Sequence, residues 1–201
     1  MNQEKAEFFD GQAGSAWADA EYGSADREKI EWLFENIGLR PGMWVLEPGC
    51  GTGRLTTILA ERVGAAGRVT ALDISPAMID RCRKRTALFP NVSVHLADLE
   101  GTDLMPGSFD LVLCFNTFPH FDDPIEALKT CRRVLKPSGG LAVFHLEPSA
   151  VINDLHRKSG PVKNDMIPGE GELRRMGEIT GFRLTSFRDD DRFLARMERR
   201  D

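Results

Sequence analysis

The segment Met43 to Gly53 (MWVLEPGCGTG) constrains the fold more than any other part of the chain. A short apolar run enters a turn with glycine at alternate positions, Gly49, Gly51 and Gly53. It leaves that turn into an amphipathic stretch, Arg54 to Val63, closed by Gly64. An apolar run of this length reads as a strand buried on both faces, as parallel strands are. Glycines directly after such a strand let the backbone turn sharply and let a ligand approach it closely.

The same alternation continues along the chain. Val69 to Asp73 reads as a second strand, and Ser75-Pro76 opens a helix running to about Leu88, with Ser as N-cap and Pro at the first helical position. Val92 to Leu96, Asp110 to Phe115 and Leu141 to His145 read as the third, fourth and fifth strands. Pro124 to Leu135 is a helix stopped by Lys136-Pro137-Ser138-Gly139-Gly140. Before the first strand, Ile30, Leu33, Phe34 and Ile37 fall on one helical face. Later, Val151 to Lys158 and Glu170 to Thr180 read as helices. Arg183 to Arg188 and Arg192 to Met197 read as two final strands joined at Asp189-Asp190-Asp191. This spacing predicts an α/β fold with a doubly wound, seven-stranded, mostly parallel sheet.

The chain's 201 residues suit a single domain over 1–201. Residues 1–40 are expected to form N-terminal helices, 41–145 the ligand-binding core, and 146–201 a specificity segment with the final strands. The net charge of −5 comes without a basic stripe, so no nucleic-acid partner is expected. No stretch is apolar enough for a bilayer, and Met1 to Asp10 lacks a signal-peptide core. Cys50, Cys82, Cys114 and Cys131 are widely spaced, which fits a reducing, cytoplasmic setting rather than a disulfide framework.

The glycine turn then discriminates between ligands. The dinucleotide fingerprint requires Gly or Ala where this chain has Arg54. Glu47, just before the loop, would repel a pyrophosphate and attract a cation. The loop therefore favours a positively charged ligand without phosphate over a nicotinamide dinucleotide.

Val45 to Gly53 (VLEPGCGTG) resembles motif I of the class I S-adenosylmethionine (SAM)-dependent methyltransferases. Phe109 to Asn116 (FDLVLCFN) and Arg133 to Phe144 (RVLKPSGGLAVF) resemble later motifs of that family, in order. The opening EFFDGQAGSAWAD is similar to the N-terminal segment of ubiquinone/menaquinone-type members, which covers the cofactor. The resemblance implies a Rossmann-like methyltransferase fold with an antiparallel last strand. It also implies SAM as cofactor, held by Glu47, Gly49, Cys50, Gly51, Thr52, Gly53, Asp73, Ile74, Met78, Asp98, Leu99 and Asn116. Asp73, ending the second strand, would accept from the ribose hydroxyls, and Asp98 would lie near the adenine amino group.

A sulfonium methyl is already activated, so an enzyme of this kind mainly positions its acceptor in line. A base is needed only where the acceptor carries a proton. His120, His145 and His156 are the candidates for that work, and loop or surface roles remain open for each. His145, His156 and Asp165 would also suit a divalent metal, which methyl transfer does not require. The expected activity is methyl transfer from SAM to a small molecule. A SAM-binding module without turnover, or a metal-assisted O- or S-methyltransferase, are the alternatives. The acceptor and the oligomeric state have no signature in the residues.

Overall fold

A computed structural model describes residues 2–200. The chain forms two compact units, Met1–Thr102 and Asp103–Asp201.

The first unit opens with three helices: α1 (Gln3–Gln12), α2 (Ala16–Asp19) and α3 (Ser24–Ile37). The apolar face read from the sequence, Ile30, Leu33, Phe34 and Ile37, is the face that α3 buries. Gly38 ends α3 in the left-handed region at φ 68°, which costs a glycine little. Strand β1 (Trp44–Pro48) pairs in parallel with β2 (Arg68–Asp73), and β2 with β3 (Val92–Leu96). Each crossover carries a helix, α4 (Arg54–Val63) and α5 (Pro76–Arg85). Leu55, Leu59, Ala60 and Val63 form the buried stripe of α4. Helix α5 stops short of the expected Leu88. Thr86 turns back at its end, its hydroxyl donating to the Cys82 carbonyl at 2.8 Å. The Thr86 amide donates to the same carbonyl at 2.9 Å, and the next turn tightens, the Ala87 amide donating to the Lys84 carbonyl at 3.5 Å.

The second unit holds β4 (Phe109–Phe115), α6 (Pro124–Val134), β5 (Leu135–His145), α7 (Ser149–Arg157), α8 (Glu170–Thr180), β6 (Phe182–Asp189) and β7 (Phe193–Arg199). Its strand order is β4-β5-β7-β6, with β4 and β5 parallel and β7 antiparallel to both its neighbours. The described residues hold seven strands in a mostly parallel sheet whose last strand is antiparallel, the α/β class expected. Strand β4 and the second half of β5, Leu141 to His145, are almost wholly buried, which explains why they read as apolar runs.

Strand β5 corrects one expectation. Lys136 to Gly140 does not form a free stop but the first half of the strand, which already pairs Leu135 with Phe109. The ladder then shifts register, and pairing resumes at Leu111 with Gly140. A side chain on Gly139 would meet the Phe109 carbonyl and the Leu135 side chain at 2.9 Å, so the irregular stretch needs glycine there. None of the helices described is long and apolar enough to cross a membrane.

Candidate functional site

In the first unit, the turn after β1 is held in shape by its own backbone and by the end of β2. Gly49, Gly51 and Gly53 take φ of 72°, 54° and 82°, a region in which a side chain is strained. The Cys50 amide donates to the Leu72 carbonyl at 2.9 Å, and the Gly53 amide to the Cys50 carbonyl at 3.0 Å. The Gly51 amide donates to Asp73 Oδ2 at 2.8 Å, while Ser75 donates its amide to Oδ1 at 2.9 Å. Asp73 is therefore an organiser of the loop. Burial pushes its carboxyl up, against the backbone bonds from Ser75, Gly51 and Ile74 that favour its anion. A side chain added at Gly51 would meet nothing within 4 Å, so the loop backbone borders open space there.

Glu47 ends β1 with only 1% of its surface exposed. Its Oε2 accepts from the Thr56 hydroxyl at 2.7 Å. Burial, chiefly, pushes its carboxyl up to about 8; the Thr56 bond works against this, and Cys82 and Asp73 add to it. At neutral pH burial thus favours the protonated acid. Cys50 packs with Ala71, Ile79 and Cys82, its sulfur 3.8 Å from that of Cys82, both thiols free. It is a small filler of the loop.

The N-terminal segment reaches this loop. The Thr52 hydroxyl donates to the Ala18 carbonyl at 2.6 Å. Asp10 Oδ1 accepts from the Ala77 amide at 3.0 Å and from the Ser75 hydroxyl, so α1 helps cap α5. The Arg54 guanidinium lies 3.9 Å from the centre of the Tyr22 ring, with its Nε buried and unbonded. Asp10, Tyr22 and Thr56 were not singled out in the sequence, and Arg54 only as the residue that breaks the dinucleotide fingerprint; Asp10 lies in the opening segment whose resemblance pointed to a cover.

The remaining expected residues are placed differently. Met78 is 2% exposed and lies in the first turn of α5, its amide donating to Ser75 Oγ at 3.1 Å. Asp98 follows β3 and accepts from the Gly101 amide, forming a turn. Leu99 beside it is buried and Ile74 half-buried. Asn116, in the second unit, has a left-handed φ of 54°; its amide donates to the Phe144 carbonyl and its Oδ1 accepts from Leu146. It ties together the carboxyl ends of β4 and β5.

The second unit brings three histidines and Asp165 together. His120 lies in the turn before α6, His145 ends β5, and His156 sits in the last turn of α7. His120 Nδ1 is 2.9 Å from Asp165 Oδ2, the two side chains 15% and 11% exposed. His156 Nδ1 contacts the Asp165 carbonyl oxygen. The rings of His120 and His156 stand 4.8 Å apart. His145 is 1% exposed, stands edge-on to Phe193, and its Nε2 has no hydrogen-bond partner. Burial, with His120 and His156 adding to it, pushes its imidazole down to about 3, so it is neutral. Among the described residues no group of three or more His, Cys, Asp or Glu side chains is placed to hold a metal ion. His95 lies on the half-exposed β3 of the first unit.

Residues 45–139 match the family model described as methyltransferase domain. A demethylmenaquinone methyltransferase of Staphylococcus aureus (strain JH9) is 35% identical over 181 residues, 77% of this chain and 75% of that protein. A ubiquinone biosynthesis O-methyltransferase of Xanthomonas campestris is 35% identical over 116 residues, 56% of this chain and 46% of that one. Other curated relatives also extend well beyond the match, the chain spanning 32% and 44% of two of them. Among solved structures, a SAM-dependent methyltransferase from Aquifex aeolicus superposes with a TM-score of 0.70 at 22% identity, covering 88% of this chain and 98% of that one. That likeness speaks for the fold.

Proposed function

Because this chain belongs to the class I SAM-dependent methyltransferases, we propose that it transfers the methyl group of SAM to a small-molecule acceptor by in-line displacement. One observation carries the cofactor part of this reading. A buried acid, Glu47, and a buried aspartate, Asp73, meet around a glycine turn, and Asp73 holds that turn open through the Gly51 amide. The donor set suits a cationic ligand with hydroxyls and no phosphate.

When bound, SAM supplies a methyl group on a positively charged sulfur. Glu47 would pair with the ligand's ammonium, giving up its proton. Gly49 to Gly53 would lie along the ligand with their backbone, with Cys50 and Thr52 shaping the turn. Asp73 would accept from the ribose hydroxyls with the lone-pair capacity its backbone bonds leave. Ile74, Met78, Asp98, Leu99 and Asn116 complete the proposed cofactor set, Met78 and Asn116 by supporting backbone rather than by an observed opening. The helices of residues 1–40 would cover the ligand, an arrangement supported by the Thr52 and Asp10 bonds. The segment 146–201 would carry acceptor specificity. A reducing, cytoplasmic setting suits the free thiols of Cys50 and Cys82.

Positioning alone can supply several kcal/mol of the barrier, so a methyl transfer leaves few obligatory catalytic side chains. The experiment is transfer of labelled methyl from SAM into a small-metabolite extract, alongside calorimetry of SAM binding. A labelled product is expected. SAM bound without any labelled product would make the chain a SAM-binding module, and no SAM binding would refute the cofactor site itself.

A further inference from the structure

We propose that Cys50 and Cys82 are a redox pair: a peroxide closes them into a disulfide, and the closure takes the glycine turn out of the form that binds SAM. The proposal rests on the SAM-binding reading of that turn and adds to it a modification site that controls it.

The geometry comes first. Both cysteines lie in the first unit, 32 positions apart in the chain. Their sulfurs stand 3.8 Å apart with Cys50 as donor, and both thiols are free. A disulfide places its sulfurs about 2.05 Å apart, so closure asks for about 1.8 Å of approach. The two sides yield unequally. Cys82 belongs to α5 and is fully buried, with Thr56 Oγ1 3.9 Å from its sulfur. A carbon added at Gly53 would meet the same sulfur at 2.8 Å, so the backbone of the turn already rests on it. Cys50 lies in the turn itself, between Gly49 and Gly51 at φ of 72° and 54°. A turn flanked by glycines adjusts more readily than a packed helix, so Cys50 is the side that moves.

The surroundings prepare the reaction. The thiolate is the reactive form of cysteine. The bond from Cys50 to the Cys82 sulfur holds the Cys82 thiol below its ordinary value, and the same bond pushes the Cys50 thiol up. Cys50 keeps 6% of its surface exposed, and Gly51 beside it borders open space, which gives a small neutral oxidant its approach. A thiolate of the pair attacks one peroxide oxygen. The O–O bond breaks, hydroxide leaves, and a sulfenic acid forms. The other sulfur attacks the sulfenic sulfur, the S–S bond forms, and the S–O bond breaks with loss of a second hydroxide. The two thiol protons convert both hydroxides to water. The sulfurs lose two electrons and the peroxide gains them.

Closure acts on the bonds that shape the turn. The Cys50 amide is held by the Leu72 carbonyl, the Cys50 carbonyl by the Gly53 amide, and the next amide, Gly51, by Asp73. Drawing Cys50 towards α5 pulls on all three. Coupling of this kind is reciprocal: a disulfide that disfavours SAM implies that bound SAM favours the reduced pair.

The test treats the full chain with hydrogen peroxide under native conditions, with and without SAM, and maps cysteine linkage by peptide mass spectrometry. A Cys50–Cys82 linkage is expected, about 2 Da lighter than the two thiols. Calorimetry should show SAM affinity reduced about tenfold, the loss of one charge-assisted bond. Dithiothreitol should restore both, and saturating SAM should slow the linkage. Cys82→Ala should bind SAM within twofold of the reduced wild type and keep that affinity after peroxide. Cys82→Ser gives a second variant should the alanine protein fail to fold. The proposal is overturned by the absence of a Cys50–Cys82 linkage, or by a linkage that leaves SAM affinity unchanged or forms as fast under saturating SAM. It is equally overturned by a Cys82 variant that loses affinity under peroxide as far as wild type does. SAM failing to bind the reduced wild type would bring down the parent reading and this control with it, whereas each of the other adverse results leaves the parent reading standing.

Discussion

Glu47→Gln is the perturbation with the clearest arithmetic. Burial holds the wild-type carboxyl at about 8 in the folded protein against an ordinary value of 4.5. Each pKa unit is worth about 1.4 kcal/mol, so ionising Glu47 in the folded protein costs about 5 kcal/mol more than in the unfolded chain. The sign follows from proton uptake. The folded state binds this proton more tightly than the unfolded state does, so its stabilising contribution is complete below pH 4.5 and is lost as pH rises towards 8. Glutamine keeps the shape and can still accept from Thr56 Oγ1, but does not titrate. Urea unfolding at a series of pH values should therefore show wild-type stability falling relative to Glu47→Gln between pH 4.5 and 8. The gap should approach about 5 kcal/mol. The cofactor reading adds a linked measurement. At pH 6.5 Glu47 is almost wholly protonated while an α-ammonium, with a pKa of about 8, is charged. Pairing the two should release nearly one proton per SAM bound, read as a buffer-dependent binding enthalpy in calorimetry. Glu47→Gln should bind SAM weakly and release none. Parallel stability curves, or a wild-type enthalpy independent of buffer, would refute both the burial argument and the ammonium pairing.

Three further outcomes follow from the same loop. Asp73→Ala should weaken SAM binding at least tenfold by calorimetry, since charge-assisted bonds of about 1.5–3 kcal/mol each are lost; unchanged affinity would show that neither the ribose nor the loop depends on Asp73. Gly53→Ala should lower the unfolding temperature, because its φ is 82° and the added carbon would meet Cys82 Sγ at 2.8 Å; a cost of about 1–3 kcal/mol is expected, and an unaltered melt would contradict the packing described. Asp10→Ala should remove part of the α5 cap and cost about 1 kcal/mol, with amide exchange at Ala77 faster than in wild type; unchanged protection would mean that α1 does not hold this turn.

The sequence by itself determined what depends on neighbours along the chain. The buried stripe of α3, the N-cap at Ser75, the glycine turn and the apolar runs of β1 and β4 all appear where local periodicity and capping chemistry put them. The ends of elements were less legible: α5 passes into a tighter turn after Arg85, where the Ala87 amide donates to the Lys84 carbonyl, and β5 begins at Leu135 because that residue pairs with Phe109. In the site, the acidic residues and glycines were readable, but their work was not. That Asp73 holds Gly51 depends on β2 ending beside the turn, a pairing between residues 22 positions apart. The shift of Glu47 depends on burial, which a residue's letter does not carry. The histidines show the difference most plainly. His120, His145 and His156 are scattered in the chain and ordinary in spacing. Only the folding of the segment after α7 delivers Asp165 to His120, 45 positions away, and only packing buries His145 beside Phe193. Local propensity acts over a few residues, whereas a titrating site is made by desolvation and by partners that only the packed chain brings within hydrogen-bond reach.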